Sequence, residues 1–428
     1  MHDRVYAELS AEAQFFEHFH SRLGGSRETY PRDLQRLLNG AETTQARQVL
    51  ESLSDYAPTP LRALPVLADT IGIAQLRIKD ESGRLGLRAF KGVGGIYALY
   101  RLLRLRADAM GLGALSAADL LTPRHADLSA SVTVACATTG NHGRSVARAA
   151  QMFGCRCVIY VPTTTTQGRI DALQALGAHV VRIPANYDAA VAQVERDAAR
   201  KGWFIVSDTA YPGQEQTPRD VMHGYRVIVD EVIRQIGTAP PPTHVFVQCG
   251  VGGIAGAFCS HFWEIWGRDR PRFIVVESRH AACMLESARA GQMCTIEGEL
   301  GTRMYGLASG KPSSLAWEVL RAGADDFVSI DDAAALHAMK LLAYPRGADP
   351  PIVAGEAGAA GIGALLVAVA SAERCAALGL DGSSRVLSIV TEGATDPATY
   401  AELVGETAEQ VLERQRVAGA VADAGAPR

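Results

Sequence analysis

Eight short apolar runs, most of them separated by helix-length segments, constrain this chain more than any other feature. They fall at residues 75–78, 133–137, 156–161, 179–183, 203–206, 244–248, 272–276 and 385–390. Residues 145–153, 168–176, 187–200 and 218–235 lie between them and are each long enough for a helix. A strand that reads as a continuous Val/Ile-rich run is apolar on both faces and must be covered on both, which is the condition of a parallel strand in an α/β protein. The spacing therefore predicts an α/β fold of mostly parallel twisted sheets flanked by helices.

The flanking segments read differently. Residues 1 to about 60 are polar, and Tyr30-Pro31 suggests an extended arm. Pro240-Pro241-Pro242 is a hard break before one strand. The end of the chain, 411–428, finishes in small residues with little to pack, and fraying is expected there. With 428 residues and 48% hydrophobic content the core can be large, and either two or three domains or one α/β unit with a satellite fits. A net charge of −4 gives no basic excess for nucleic acid or an anionic membrane surface. The eight cysteines include no C-x-x-C pair, and Cys155-x-Cys157 lies in an apolar run; they read as reduced core residues of a cytoplasmic protein and not as a metal site. Met1-His2-Asp3-Arg4 starts no signal peptide, and no apolar run reaches membrane-spanning length.

Ligands in open α/β sheets collect beyond the C-terminal ends of the strands, so the residues after each run carry the functional reading. Residues 75–78 feed the loop Lys79-Asp80-Glu81-Ser82-Gly83-Arg84-Leu85-Gly86-Leu87-Arg88-Ala89-Phe90-Lys91, and a helix-like run at 96–105 follows. Lys91 would sit half-walled by apolar side chains, where a neutral amine can form a Schiff base with an aldehyde; a solvated loop lysine is the ordinary alternative. After 133–137 come Thr138-Thr139-Gly140-Asn141-His142-Gly143-Arg144, whose amides and hydroxyls can bind a carboxylate or simply cap a helix. Asp208 ends another run and is either a base or a turn cap. After 244–248, Gly250, Val251, Gly252, Gly253 and Ile254 bring bare amides to a helix start, suited to a phosphate. The same loop fits the dinucleotide pattern as Gly250-x-Gly252-x-x-Ala255, with Glu277 as a late ribose ligand, and so supports a nicotinamide-dependent dehydrogenase. Thr391 closes the last run and can present a hydroxyl to a ligand or to backbone. Glu356 opens a helix among glycines, where a carboxylate needs no function to explain it.

Taken together, these stretches resemble the fold-type II pyridoxal-phosphate enzymes, and within them the diaminopropionate ammonia-lyase family. The resemblance runs from about residue 55 to 405. It is carried by Lys79-Asp80-Glu81-Ser82, Gly86-Leu87-x-Ala89-Phe90-Lys91, Ala137-Thr138-x-Gly140-Asn141-His142-Gly143-Arg144, Asp208-Thr209-Ala210, Met304-x-Gly306-Leu307-Ala308-x-Gly310-x-Pro312, Gly355-Glu356-x-Gly358-Ala359 and Thr391-Glu392-Gly393-x-Thr395-Asp396-Pro397. It implies a homodimer that binds pyridoxal 5'-phosphate and an amino-acid substrate. The cofactor domain would be 1–98 with 216–410, and the smaller domain 99–215. Lys91 would carry the cofactor. Gly250, Val251, Gly252, Gly253 and Ile254 would hold its phosphate, Asn141 its ring hydroxyl and Thr391 its ring nitrogen. Thr138, Thr139, Gly140 and His142 would receive the substrate carboxylate. The implied reaction is α,β-elimination to pyruvate and ammonia, with Asp208 as base for the L-isomer. A second aspartate of the family motif, tied to the D-isomer, is replaced here by Thr139, which implies little activity on that isomer. Arg88 stands where the family has a small polar residue. It implies a cation near the substrate entrance and leaves open an anionic β-substituted substrate such as 3-hydroxyaspartate or an acylated diaminopropionate. A β-replacement enzyme, a racemase and a non-catalytic binding protein remain alternatives.

Overall fold

The computed structural model describes residues 9–24, 28–138, 140–163, 165–184 and 187–424. Eleven strands form two sheets among them: β1 (Phe16–His20), β2 (Leu61–Ala63), β3 (Gln75–Asp80), β4 (Thr133–Ala137), β5 (Arg156–Pro162), β6 (His179–Ile183), β7 (Phe204–Ile205), β8 (His244–Gln248), β9 (Arg272–Ser278), β10 (Asp326–Ile330) and β11 (Arg385–Val390). The larger sheet has the order β1-β10-β9-β8-β11-β3-β2 and the smaller β6-β5-β4-β7. The interior pairs of the larger sheet are parallel; its edge strands β1 and β2 are antiparallel to β10 and β3. All pairs of the smaller sheet are parallel.

The Val/Ile-rich strands are buried on both faces, as their composition requires. Val245, Val247, Phe273 and Val275 pack with the helices Lys91–Ala109, Gln216–Ile236 and Gly253–Trp266 on one side. Phe246, Ile274, Val276 and Val386 pack with Asp332–Ala343 and Ala360–Val369 on the other. Gly361 lets the last of these helices lie directly on the sheet, since a Cβ there would stand 2.5 Å from Ser388 Oγ. The glycines that follow Lys91 have the same cause. A Cβ on Gly94 would meet Tyr225 Cε1 at 2.4 Å, and one on Gly95 would meet Ser145 Oγ at 2.1 Å. The helix that begins at Lys91 is thereby pressed between the helix Gln216–Ile236 of the larger sheet and the helix Asn141–Phe153 beside the smaller one.

Four expectations change. The described residues among the first sixty form no extended arm: β1 pairs with β10, helices span Arg32–Leu37 and Gly40–Glu51, and Leu34, Leu38 and Leu50 are buried. A boundary at 98/99 falls inside the continuous helix Lys91–Ala109, because that helix packs against both halves. The strand expected at 203–206 keeps only two paired residues, Phe204 and Ile205. The tail forms a helix over Ala408–Ala424, tied down by buried Val411 and by Arg414 and Gln415, which donate to Ala343 O at 2.7 Å and Pro351 O at 2.6 Å. No single helix among the described residues is long and apolar enough to cross a membrane.

Candidate active site

Strand β3 leads into a tight turn over Glu81–Gly86, in which Leu85 takes the left-handed φ of 50°. Arg88 follows with a φ of 57°. The next residues are stitched to the loop after β11: Ala89 bridges Glu392, Phe90 N–H donates to Thr391 O at 3.0 Å, and Gly393 N–H donates to Arg88 O at 2.9 Å. Phe90 packs on Tyr225, with ring centroids 4.8 Å apart. This fixes the start of the helix that carries Lys91. The side chain of Lys91 is mostly shielded, and its Nζ donates to Asp208 Oδ2 at 2.5 Å.

Asp208 follows β7, so the ion pair joins the two sheets across a cleft. His142 stands on its other side, with Nδ1 3.8 Å from the same oxygen. The second ring nitrogen, Nε2, lies 2.8 Å from Val206 O. A carbonyl only accepts, so Nε2 carries the proton and Nδ1 presents its lone pair to the cleft. Burial pushes the His142 pKa down, which keeps the ring neutral. Burial pushes Asp208 up, yet His142 when it is protonated, and the Lys91 ammonium by its charge and its hydrogen bond, overcome it and hold the carboxyl well below its usual range.

The loop after β4 is shaped by Thr138. Its hydroxyl accepts from Gly140 N–H at 3.2 Å and Gly143 N–H at 3.3 Å, and a Cβ on Gly143 would stand 2.2 Å from its Cγ2. The Asn141 amide donates to a Glu392 carboxylate oxygen. Thr139 lies outside the described residues. The glycine loop after β8 borders the same cleft: a Cβ on Gly253 would lie 3.9 Å from Asp208 O. Gly252 has a φ of 103°, and a Cβ there would meet Met284 Cε at 2.4 Å and Ala316 Cβ at 2.6 Å. A Cβ on Gly250 would stand 3.0 Å from Gly306 O. Val251 O accepts from Ser313 N–H at 2.9 Å. The first-turn amides at Gly253 and Ile254 have no partner within their own helix and open an anion site at its positive end. Glycines that admit no Cβ, a helix N-terminus and a shielded lysine in one cleft fit pyridoxal phosphate.

Thr391 is buried at the end of β11. Gln248 Nε2 lies 2.9 Å from its Oγ1 and 3.0 Å from each of Gly358 O and Ile389 O. Two carbonyls fix that end of the amide as nitrogen. An amide nitrogen cannot accept, so the Thr391 hydroxyl keeps its proton for a ligand.

Arg88 donates from Nη1 to Ala394 O at 3.0 Å, and its Nη2 lies 3.6 Å from Glu409 on the C-terminal helix. One expectation is corrected by the geometry. Glu277, the ribose ligand of the dinucleotide reading, is fully buried, and its two oxygens accept from Met284 N–H and Leu285 N–H at 2.8 Å each. It caps the helix Cys283–Ala290 and has no oxygen left for a ribose. Three residues at the site were not singled out for it in the sequence: Gln248, Tyr225 and Glu392. Glu392 carried a signal, since it sits directly after Thr391 in a loop already marked.

Comparison with known proteins agrees with this chemistry. The family model for pyridoxal-phosphate dependent enzymes matches residues 53–392. The diaminopropionate ammonia-lyase of Escherichia coli K12 is 38% identical over 374 residues, covering 86% of this chain and 93% of that protein. The crystal structure of the Escherichia coli enzyme in complex with an aminoacrylate-PLP azomethine reaction intermediate superposes with a TM-score of 0.81 at 35% identity, covering 91% of this chain and 97% of that one. Threonine deaminase isoform 2 of Solanum lycopersicum shares the fold, with a TM-score of 0.66 at 22% identity over 91% of this chain and 97% of that one. Because the family match begins ahead of the Lys91 loop and ends only at Glu392, it takes in the lysine, the glycine loop and Thr391 as one unit, and the chain belongs to the pyridoxal-phosphate-dependent enzymes.

Proposed function

We propose that this enzyme eliminates the β-amino group of a 2,3-diaminopropionate-type amino acid, the L-isomer preferred, giving pyruvate and ammonia. The observation that carries the reading is the 2.5 Å contact between Lys91 and Asp208, which sets an amine and a carboxylate base side by side in the cleft. The identity to diaminopropionate ammonia-lyases supports the substrate.

Bound pyridoxal phosphate supplies the electron sink for the Cα carbanion. Lys91 would hold the cofactor and would stand as a free amine beside Asp208 once substrate replaces it. The amides at Gly250, Val251, Gly252, Gly253 and Ile254 would hold the phosphate. The loop of Thr138, Gly140 and His142 would receive the substrate carboxylate, and Asp208 would take the Cα proton. Thr391 would donate its hydroxyl to the ring nitrogen and supply it no proton, so less carbanion charge would spread into the ring and elimination would be favoured. Thr391→Asp is expected to raise side transamination relative to elimination, measured as activity lost per turnover and regained on adding fresh pyridoxal phosphate. An unchanged partition removes Thr391 from that role.

The test of the function is an absorbance spectrum of the purified protein before and after L-2,3-diaminopropionate, with pyruvate assayed in the same cuvette. A visible cofactor band with pyruvate formed supports both class and substrate. The band without pyruvate overturns the substrate. The D-isomer in a parallel cuvette is expected to give little pyruvate, because Thr139 takes no proton at neutral pH. The reading extends to a homodimer, an expectation that rests on the family resemblance, and to the cytoplasm, which rests on the cysteine usage; light scattering measures the oligomer.

A further inference from the structure

Glu392 brings a carboxylate into the cleft that the scheme above leaves without a task. Its backbone is bound to the Lys91 loop by the bridge to Ala89. Its side chain reaches across to the opposite wall, where it accepts from the Asn141 amide. The walls beside it are glycine: a Cβ on Gly355 would stand 3.3 Å from its Oε1, and one on Gly306 would stand 3.8 Å from each oxygen. The side chain is held in place and buried.

The β-amino group of 2,3-diaminopropionate is an ammonium ion near neutral pH, and a buried cation requires an anion. Asp208 already faces Lys91 and is assigned the Cα proton, so it cannot also hold the leaving group. We propose that Glu392 receives the β-ammonium group of the substrate and thereby sets the preference for an amino over a hydroxyl leaving group. This assignment rests on the ammonia-lyase reading above. The balance is simple. The Cα proton goes to Asp208, its bonding pair becomes the Cα–Cβ double bond, and the C–N pair leaves on nitrogen as neutral ammonia. Holding the group as ammonium means that no further proton is needed at departure.

Burial, and then the neighbouring Glu356, push the Glu392 carboxyl up to about 7. The Asn141 amide, the Ala357 N–H and Arg169 pull in the opposite direction, and Arg144, itself close to Arg88, also faces Glu392. An ammonium binds the ionised form. Recognition of the diamine therefore strengthens as pH rises through about 7. A hydroxyl substrate gains nothing from that ionisation.

The test compares kcat and KM of the holoenzyme for L-2,3-diaminopropionate and L-serine across that pH range, in the unaltered protein and in Glu392→Gln. The substitution is expected to lower kcat/KM for the diamine by about 100-fold, mostly through KM, and to leave L-serine little changed. It also removes the rise in diamine kcat/KM near neutral pH, and Glu392→Asp restores part of it. Equal losses on both substrates would make Glu392 a support for Asn141 and overturn the proposal. If Glu392→Gln does not fold, the unaltered protein still decides: a diamine pH profile no different from that of L-serine overturns the assignment. An unaltered holoenzyme that makes no pyruvate from the diamine is a separate outcome, and it overturns the ammonia-lyase reading together with this one.

Discussion

Asp208→Asn is expected to lower kcat on L-2,3-diaminopropionate by about 10²- to 10⁴-fold, the contribution of a positioned general base, with KM and the cofactor band largely kept. Asparagine preserves the shape and can still accept from Lys91, but it takes no proton. The electrostatics explain why Asp208 acts at one stage only. Burial alone raises its pKa, and the adjacent charges reverse that shift, His142 only when protonated and Lys91 as an ammonium 2.5 Å away. In that state the carboxylate is a weak base. Once substrate has taken the place of Lys91 and the freed amine is neutral, its pull on Asp208 weakens. The burial remains and raises the basicity of the carboxylate at the stage where a Cα proton must be removed. His142 is kept neutral by its own burial and by the carbonyl of Val206, so it does not replace the lost cation. Stopped-flow deuterium isotope effects with Cα-labelled substrate separate the cases. A large isotope effect with a slow kcat in Asp208→Asn places the proton on Asp208. A rate within tenfold of the unaltered enzyme gives the proton to Lys91 instead.

How much of this was legible from sequence differs between centre and edge. The buried parallel strands were plain, because no side chain on either face has to meet water; β4, β8 and β11 match their expected runs, and so does the half-exposed edge strand β6 of the smaller sheet. The edge strands of the larger sheet were not. β1 reads Phe-Glu-His-Phe-His and looks like a polar arm, yet His18 and His20 both meet Asp326 at 2.8 and 2.9 Å. β10 begins at that aspartate and was masked by the acidic pair Asp325-Asp326, whose charges are matched by Arg270 and Arg272 from a distant segment. At the site, Lys91, Asn141, His142, Asp208 and Thr391 were visible because each follows a strand. Gln248 and Glu392 were not, because their roles come from side chains that cross between strands or between cleft walls.

Arg84→Met is expected to destabilise the fold by about 3–5 kcal/mol, the usual result of leaving a buried ion network without one partner, a large share of the roughly 5–15 kcal/mol by which folded proteins are stable. Arg84 lies beneath the turn that delivers Lys91. Its Nε and Nη2 donate to the two oxygens of Glu81 at 2.7 and 2.8 Å. Its Nη1 and Nη2 donate to the two oxygens of Glu231 at 2.9 and 2.7 Å. Lys79 adds a second cation, with Nζ 2.6 Å from Glu231, and the side chains of all four residues are almost wholly buried. Two cations therefore face two carboxylates out of water. Loss of Arg84 leaves Lys79 alone against both. Lysine is a poor substitute, since it lacks the planar fork that engages two carboxylates at once. Urea unfolding measures the cost, and the double variant Glu81→Gln with Arg84→Met separates its causes. If uncompensated charge is the main penalty, removing one charge of each sign leaves the Lys79–Glu231 pair balanced and recovers much of the loss. If the double variant is no more stable than the single one, Arg84 acts through the shape of the turn. In either case Lys91 lies only a few residues beyond the turn, so weaker retention of pyridoxal phosphate, read from the cofactor band after dialysis, is expected to accompany the fall in stability.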